Sequence, residues 1–102
     1  MPAWSQGDII RISGRGESFV VVSNNAYLTV TGRFHVCLMT DWETEGPTHI
    51  RVKGIEGTEG TVSCEQIKLI DPNARGCRRV DRLPYRDITE ISDVIQGIFE
   101  YD

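Results

Sequence analysis

A long, half-buried β-strand is predicted by the stretch Arg33-Phe-His-Val-Cys-Leu-Met-Thr40. Successive residues of a strand point to opposite faces of a sheet, so the side chains of this stretch divide into two sets. One face carries Phe34, Val36, Leu38 and Thr40, and the other carries Arg33, His35, Cys37 and Met39. A sheet built around this strand is the first expectation for the fold.

Further strands are predicted on both sides of this stretch. Residues 7–13 alternate, residues 19–23 form a β-branched run typical of a buried strand, and Ser13-Gly-Arg-Gly16 is a turn between them. Residues 48–53 follow, with Ile50 and Val52 facing inward. Residues 61–64 form another strand, and residues 66–70 are extended or a short strand.

One helix is predicted, near the end of the chain. Apolar residues recur there at three- and four-residue spacing, which is the pattern of an amphipathic helix. They are Ile88, Ile91, Val94, Ile95, Ile98 and Phe99. Pro84 suits the first turn, and Asp87 and Glu90 have the spacing of a capping box. The predicted fold class is mostly β (α+β): a curled antiparallel sheet or small SH3-like barrel with a C-terminal helix packed on it.

Length and composition favour one small domain over residues 1–102, with 39% hydrophobic and 25% charged residues. No apolar run is long enough to span a membrane, and no signal peptide is recognised, so we expect a cytoplasmic protein without a membrane partner. The net charge of −4 argues against a surface that wraps a long nucleic-acid duplex, but it allows a short, local RNA site.

The three cysteines indicate neither disulfides nor a metal site. Cys37, Cys64 and Cys77 are odd in number and far apart, which fits a reducing compartment. Adding His35 and His49 gives no familiar zinc spacing, so we expect no metal and no cofactor.

Several polar residues have two interpretations each from the sequence alone. His49 is a surface histidine or a site residue on the outer face of its strand, and Cys64 is a small core residue or a thiol nucleophile. Trp42 either caps the core or stacks on a base. A run of arginines either is a solvated loop or holds anions. It comprises Arg75, Arg78, Arg79 and Arg82.

Five motifs in order resemble the MazF/PemK/Kid family of toxins. Gly7-Asp-Ile-Ile10 is similar to its opening strand, and residues 19–23 to its second strand. Pro47-Thr-His-Ile-Arg-Val52 resembles a Pro-Thr-His-Val stretch, and Gly60-Thr-Val-Ser-Cys-Glu-Gln66 resembles a Gly-x-Val-x-Cys-Asp-Gln run. The latter leads to Ile70-Asp71 and Ala74-Arg-Gly76, and residues 84–99 fall where the family has its last helix.

The resemblance implies a toxin of a type II toxin–antitoxin pair. Such proteins are homodimers that bind a cognate antitoxin and cut single-stranded RNA without a metal, leaving 2′,3′-cyclic phosphate and 5′-hydroxyl ends. This chemistry needs a base, an acid and a donor or cation for the phosphate charge. Glu65 matches the family's acidic residue and is the expected base, and Thr40 matches its phosphate-donating threonine. The family's second-strand arginine aligns with Glu17-Ser18, so Arg15 is expected to replace it.

The remaining site residues are also assigned through the resemblance. RNA contacts are expected from Ser63, which stands where Kid-type toxins have an arginine, and from Gln66, Trp42 and His49. The antitoxin is expected at Arg75, Arg78, Arg79 and Arg82. The alternative is a non-nucleolytic protein of the same fold, either a gyrase poison like CcdB or a decayed toxin that only binds antitoxin.

Overall fold

The computed structural model describes residues 3–42 and 44–100. Its strands are β1 (Asp8–Ile12), β2 (Ser18–Val21), β3 (Phe34–Thr40), β4 (His49–Lys53), β5 (Glu59–Ile70) and β6 (Cys77–Arg82). Helix α1 (Asn25–Thr31) follows β2, and helix α2 (Tyr85–Ile98) follows β6. Within the described residues the strands form one antiparallel sheet in the order β4-β5-β3-β2-β1-β6. The sheet is open, which confirms the curled sheet rather than the closed barrel.

Hydrophobic clusters lie on both faces of this sheet, because neighbouring residues of β1, β2 and β3 enter different clusters. The larger cluster joins Ile9, Val20 and Met39 to Ile91 of α2. The other cluster lies on the opposite face of the strands and joins Ile10, Phe19 and Phe34 to Leu28 of α1. Trp4 packs edge-on against Phe34 there, with ring centroids 5.9 Å apart. The predicted packing of the C-terminal helix on the sheet is confirmed.

Helix α1 was not predicted, because its seven residues lack a long apolar period. Thr29, Val30 and Thr31 are β-branched and favour helix only weakly. The ends stabilise it instead: the Asn24 side chain accepts a hydrogen bond from the Tyr27 backbone N–H at 2.8 Å. Gly32 ends the helix in the left-handed conformation, at φ 71°.

Strand β6 was also missed, since its arginines were interpreted as a charge run in a loop. Residues 77–82 pair with β1, and β6 forms one edge of the sheet. In addition, the two predicted segments 61–64 and 66–70 are one long strand, β5. Its pairing with β3 shifts register between Cys37 and Leu38, so a bulge rather than a break separates the two halves.

The sheet curls until its two edge regions touch. The Ile55 N–H, just beyond β4, donates to the Arg82 carbonyl at 2.8 Å. Beside it the buried Asp81 carboxylate accepts hydrogen bonds from the N–H groups of Glu56, Thr58 and Arg82 at 2.7 to 3.0 Å. Asp81 therefore fastens the β4–β5 hairpin to β6.

The predicted capping box at the start of α2 does not form. The helix begins after Pro84, and no side chain among residues 3–42 and 44–100 caps its first N–H groups. Asp87 already lies inside the first turn, where its backbone N–H donates to the Pro84 carbonyl at 3.0 Å. Among the described residues, no helix is long and apolar enough to cross a bilayer.

Candidate active site

Two rows of side chains cross β4, β5 and β3 on one face of the sheet. His49 lies opposite Ser63, which lies opposite Leu38. In the next row Arg51 lies opposite Thr61, which lies opposite Thr40. Directly opposed residues of an antiparallel sheet share a face, and Arg51 Nη1 donates to Thr61 Oγ1 at 3.3 Å. This polar face, defined by His49, Arg51, Thr61, Ser63 and Thr40, therefore has a continuous surface.

Glu65 completes the polar face from the bulge in β5. Its Oε2 accepts a hydrogen bond from Thr48 Oγ1 at 2.7 Å, and its Oε1 lies 2.8 Å from His49 Nε2. The side chain is 42% exposed, so the carboxylate is held from one side and open to solvent on the other. Bulges commonly redirect a side chain beside a functional site.

The Glu65 pKa is lowered to about 2. Burial is the largest single influence and raises the pKa, but hydrogen bonds from Thr48, from the residue's own backbone N–H, from His49 and from Ser63 together outweigh it. Glu65 is therefore ionised at neutral pH. A carboxylate with so low a pKa is a weak proton acceptor and a strong hydrogen-bond acceptor.

His49 is oriented by this carboxylate. An ionised carboxylate only accepts hydrogen bonds, so Nε2 must carry the proton that lies between the two groups. In the neutral imidazole the lone pair then resides on Nδ1, which lies 3.0 Å from Thr44 Oγ1. A Cβ at Gly46 would lie 3.2 Å from Nδ1, so the glycine leaves room beside this nitrogen. Nδ1 is thus a basic atom that faces an exposed loop residue.

Most of the residues predicted for the site from the sequence lie near one another. The Thr40 hydroxyl donates to the Trp42 carbonyl at 3.2 Å, and the Trp42 side chain is 64% exposed. Ser63 is buried and accepts a hydrogen bond from Gln66 Nε2 at 3.2 Å. Cys64 belongs to the core, where burial raises its pKa to about 11, which argues against a thiol nucleophile.

Arg15 reaches the same face of the sheet from the other side of β3. It lies in the β1–β2 turn, where Nε is 3.3 Å from Glu17 Oε2 and the guanidinium is 5.6 Å from the centroid of the Phe19 ring. Among the described residues, no hydrogen bond or ion pair links Arg15 to Glu65. Phe19 lies opposite Leu38, in the row of Ser63 and His49, so Arg15 shares the face of the candidate site without contacting Glu65.

Three residues of the site were missed by sequence reasoning. The Thr48 hydroxyl contacts Glu65, and the Thr44 hydroxyl contacts His49. No spacing rule in the sequence singles out such threonines. Arg51 had a usable signal, because it is two residues from His49 on a strand and therefore shares its face. Arg51 therefore places a second cation on the face that Arg15 also reaches.

The predicted antitoxin arginines are spread over more than one surface. Arg78 and Arg79 are consecutive on β6 and so point to opposite faces. Arg79 lies 3.7 Å from the buried Asp8 carboxylate, whereas Arg78 lies opposite Arg11 of β1. Arg75 is exposed in the turn before β6, and Arg82 ends the strand.

The family and the fold are both established by comparison with known proteins. The model of the PemK-like, MazF-like toxins of type II toxin–antitoxin systems matches residues 6–99. The match covers nearly the whole chain, so this protein belongs to that family of toxins. A search of curated protein sequences finds no match.

Solved structures of MazF toxins share the fold. A MazE–MazF complex from Deinococcus radiodurans superposes with a TM-score of 0.82 at 18% identity and covers 100% of both chains. An endoribonuclease in complex with its cognate antitoxin from a mycobacterial species gives 0.81 at 18% identity, over 98% of this chain and 100% of that one. The Mycobacterium tuberculosis toxin MazF-mt6 gives 0.71 at 17% identity, over 93% and 98%.

Proposed function

We propose that this toxin is a metal-independent endoribonuclease that cleaves single-stranded RNA in the cytoplasm. The observation that supports this most strongly is the contact between Glu65 Oε1 and His49 Nε2, at 2.8 Å, on an exposed polar face. It provides an oriented imidazole beside hydroxyl groups and a cation, which is what phosphodiester transfer requires. The fold match to a mycobacterial endoribonuclease agrees with this choice.

The proposed reaction is an internal transfer. The RNA 2′-hydroxyl loses its proton to His49 Nδ1, and its oxygen attacks the adjacent phosphorus. The bond from phosphorus to the 5′-oxygen breaks, and the same proton passes from the imidazolium to that leaving oxygen. The products are a 2′,3′-cyclic phosphate and a 5′-hydroxyl, and the residues end in their starting protonation states.

Each residue of the polar face receives a role in this scheme. Glu65 holds the His49 ring by its Nε2–H and stabilises the imidazolium, as the carboxylate does in a serine-protease triad. This differs from the sequence expectation of Glu65 as the base, because a pKa of about 2 makes it a weak one. Arg51 and Thr40 stabilise the phosphate charge. Contacts to the flanking nucleotides are assigned to Gln66 and Trp42, and the buried Ser63, which was expected to contact RNA, instead positions the Gln66 amide.

The test is a cleavage assay in EDTA on a long RNA of mixed sequence, with analysis of the product ends. We expect 5′-hydroxyl and 2′,3′-cyclic phosphate ends from the parent protein. Glu65→Gln should lower the rate by about 100-fold or more, since loss of the carboxylate that orients the histidine of a serine-protease triad costs about 10⁴. Glu59→Gln, on the same strand and exposed, is the matched control and should retain the parent rate. An intact parent protein that cleaves no RNA would instead favour the non-nucleolytic binding protein.

We also infer that the protein is a homodimer. A cleft of about 570 Å³ lies between α1, α2 and the sheet, and its lining includes Tyr27, Ile67, Ile95 and Phe99. Phe99 is 74% exposed, which is unusual for a large aromatic residue beside other apolar groups. Sedimentation equilibrium at micromolar concentration should give twice the chain mass, and Phe99→Glu should shift it to the monomer. A parent protein that is monomeric throughout would contradict the inference.

The proposed antitoxin contact is electrostatic. An acidic, extended segment of the antitoxin would lie along the β6 edge near Arg75, Arg78, Arg79 and Arg82, and binding would weaken with salt. The neighbouring structures of MazE–MazF complexes make an antitoxin the expected partner. Replacing Arg78 and Arg79 by glutamate should weaken antitoxin binding, and unchanged affinity would show that the edge is only solvated surface.

A further inference from the structure

Two arginines lie directly opposite each other on neighbouring strands. Arg11 of β1 pairs in register with Arg78 of β6. Like charges at opposed positions destabilise a sheet. In the part of the chain that the structure describes, neither side chain forms an ion pair with a carboxylate. The free protein therefore places two uncompensated cations side by side, although its net charge is −4.

The same two residues line a cleft with a third arginine. The cleft has a volume of about 450 Å³, and its other walls include Arg15, Gly14 and Gly76. The Ser13 N–H donates to the Gly76 carbonyl at 2.7 Å, which fixes the two turns that border the cleft. Gly14 has a φ of 82°, a conformation that side-chain-bearing residues seldom adopt.

The Arg15 guanidinium is directed away from this pair. It lies over the ring of Phe19, whose side chain is on the opposite face of the sheet from Arg11 and Arg78.

We propose that the cleft lined by the opposed pair Arg11 and Arg78 is a phosphate-binding subsite for the RNA strand, outside the linkage that is cleaved; the proposal rests on the ribonuclease function proposed above. Each guanidinium offers paired N–H donors that match phosphate oxygens. A phosphate directs its oxygens tetrahedrally and can bridge guanidinium groups that border a cleft from different sides. A carboxylate presents only two oxygens in one plane. Arg11 is half-buried and lies one strand inside the β6 edge, where a peptide strand added to that edge would not reach it.

The experiment measures binding of a strand that cannot be cut. The probe is a fluorescein-labelled twelve-nucleotide RNA of mixed sequence with 2′-O-methyl groups throughout, followed by anisotropy at several salt concentrations. The test variant is Arg11→Gln with Arg78→Gln. Its matched control is Arg33→Gln with Arg86→Gln, which changes the net charge equally at two exposed arginines elsewhere.

We expect the test variant to bind at least about tenfold more weakly at low salt. Each phosphate contact on a single strand contributes about 0.7 to the slope of log affinity against log salt, so losing this one subsite should lower the slope by about 0.7. The control should change affinity less than about twofold. Because the variant removes a like-charge pair, its Tm should equal or exceed that of the parent protein.

Equal affinities for test and control variants would overturn the proposal. So would a test variant that keeps the RNA affinity but loses binding of an oligoglutamate peptide, since the cleft would then serve an acidic segment. A different result would contradict the ribonuclease function alone: the parent protein would bind the strand through these arginines but would not cleave unmodified RNA.

Discussion

Asp81→Asn is predicted to destabilise the protein by loosening the hairpin that carries the polar face. The carboxylate is buried, and Oδ1 accepts the N–H groups of Glu56 and Arg82 at 3.0 and 2.7 Å while Oδ2 accepts that of Thr58 at 3.0 Å. An asparagine keeps one acceptor oxygen, but its NH₂ group would face the Thr58 N–H. Leaving a buried donor unpaired costs about 1–3 kcal/mol, and the two remaining bonds lose their charge assistance. We therefore expect a loss of about 2–4 kcal/mol in the free energy of unfolding.

The destabilisation caused by Asp81→Asn should also depend on pH, in a direction that the Asp81 pKa determines. Burial is the largest influence on the Asp81 pKa and raises it, but the hydrogen bonds from Glu56, Arg82 and Thr58 outweigh it, so the folded-state pKa is lowered. A group with a lowered folded pKa stabilises the protein above its unfolded pKa, about 3.9 for aspartate. This stability is lost as the pH falls through the folded pKa. The difference between the parent protein and Asp81→Asn should therefore be complete at pH 7 and shrink below about pH 4.

Urea unfolding at pH 7 and at several acid pH values measures both effects. Asp71→Asn is the matched control, because Asp71 accepts a single exposed hydrogen bond from the Asn73 N–H at 2.9 Å. It should change stability by no more than about 0.5 kcal/mol. The reasoning is refuted if Asp81→Asn is no more destabilising than this control, or if its effect stays constant from pH 7 into the acid range.

Two further predictions concern close packing and thiol reactivity. Gly54→Ala should cost about 1–3 kcal/mol in urea unfolding, because its Cβ would collide with the Asp81 carboxylate, whereas Gly16→Ala has open space and should be near neutral. In native protein a thiol reagent such as DTNB should modify only the half-buried Cys77 readily, since burial raises the pKa of Cys37 to about 12 and that of Cys64 to about 11. Three thiols should react after unfolding, and rapid native reaction of all three would contradict the burial.

The long elements could be predicted because their hydrophobic period is unmistakable. The alternation in residues 34–40 and the apolar stripe of α2 each extend over several repeats, so packing and pattern agree. Helix α1 could not be predicted in this way, because only Leu28 of its residues is buried. Strand β6 was hidden by arginines at an exposed sheet edge, where cationic side chains are common and apolar alternation is not required.

The candidate site was predictable only in part. The family motif placed Glu65, Ser63 and Gln66 near one another, and strand alternation placed His49 on an outer face. The contact between His49 and Glu65 depends on the pairing of β4 with β5 and on the bulge in β5. Neither feature can be predicted from the local sequence. The position of Arg15 near the missing arginine could be predicted from the sequence, but its contacts with Glu17 and the Phe19 ring could not.

The contact between His49 and Glu65 is tested most directly by a double-mutant cycle on RNA cleavage. The measured quantity is kcat/KM in EDTA for the parent protein, His49→Ala, Glu65→Gln and the double variant, each checked for the parent Tm. If Glu65 acts only through the imidazole, the double variant should be no slower than His49→Ala alone, within about threefold, although each single change costs about 10²–10⁴. Losses that multiply in the double variant, or a His49→Ala protein that cleaves at the parent rate, would contradict the proposed site.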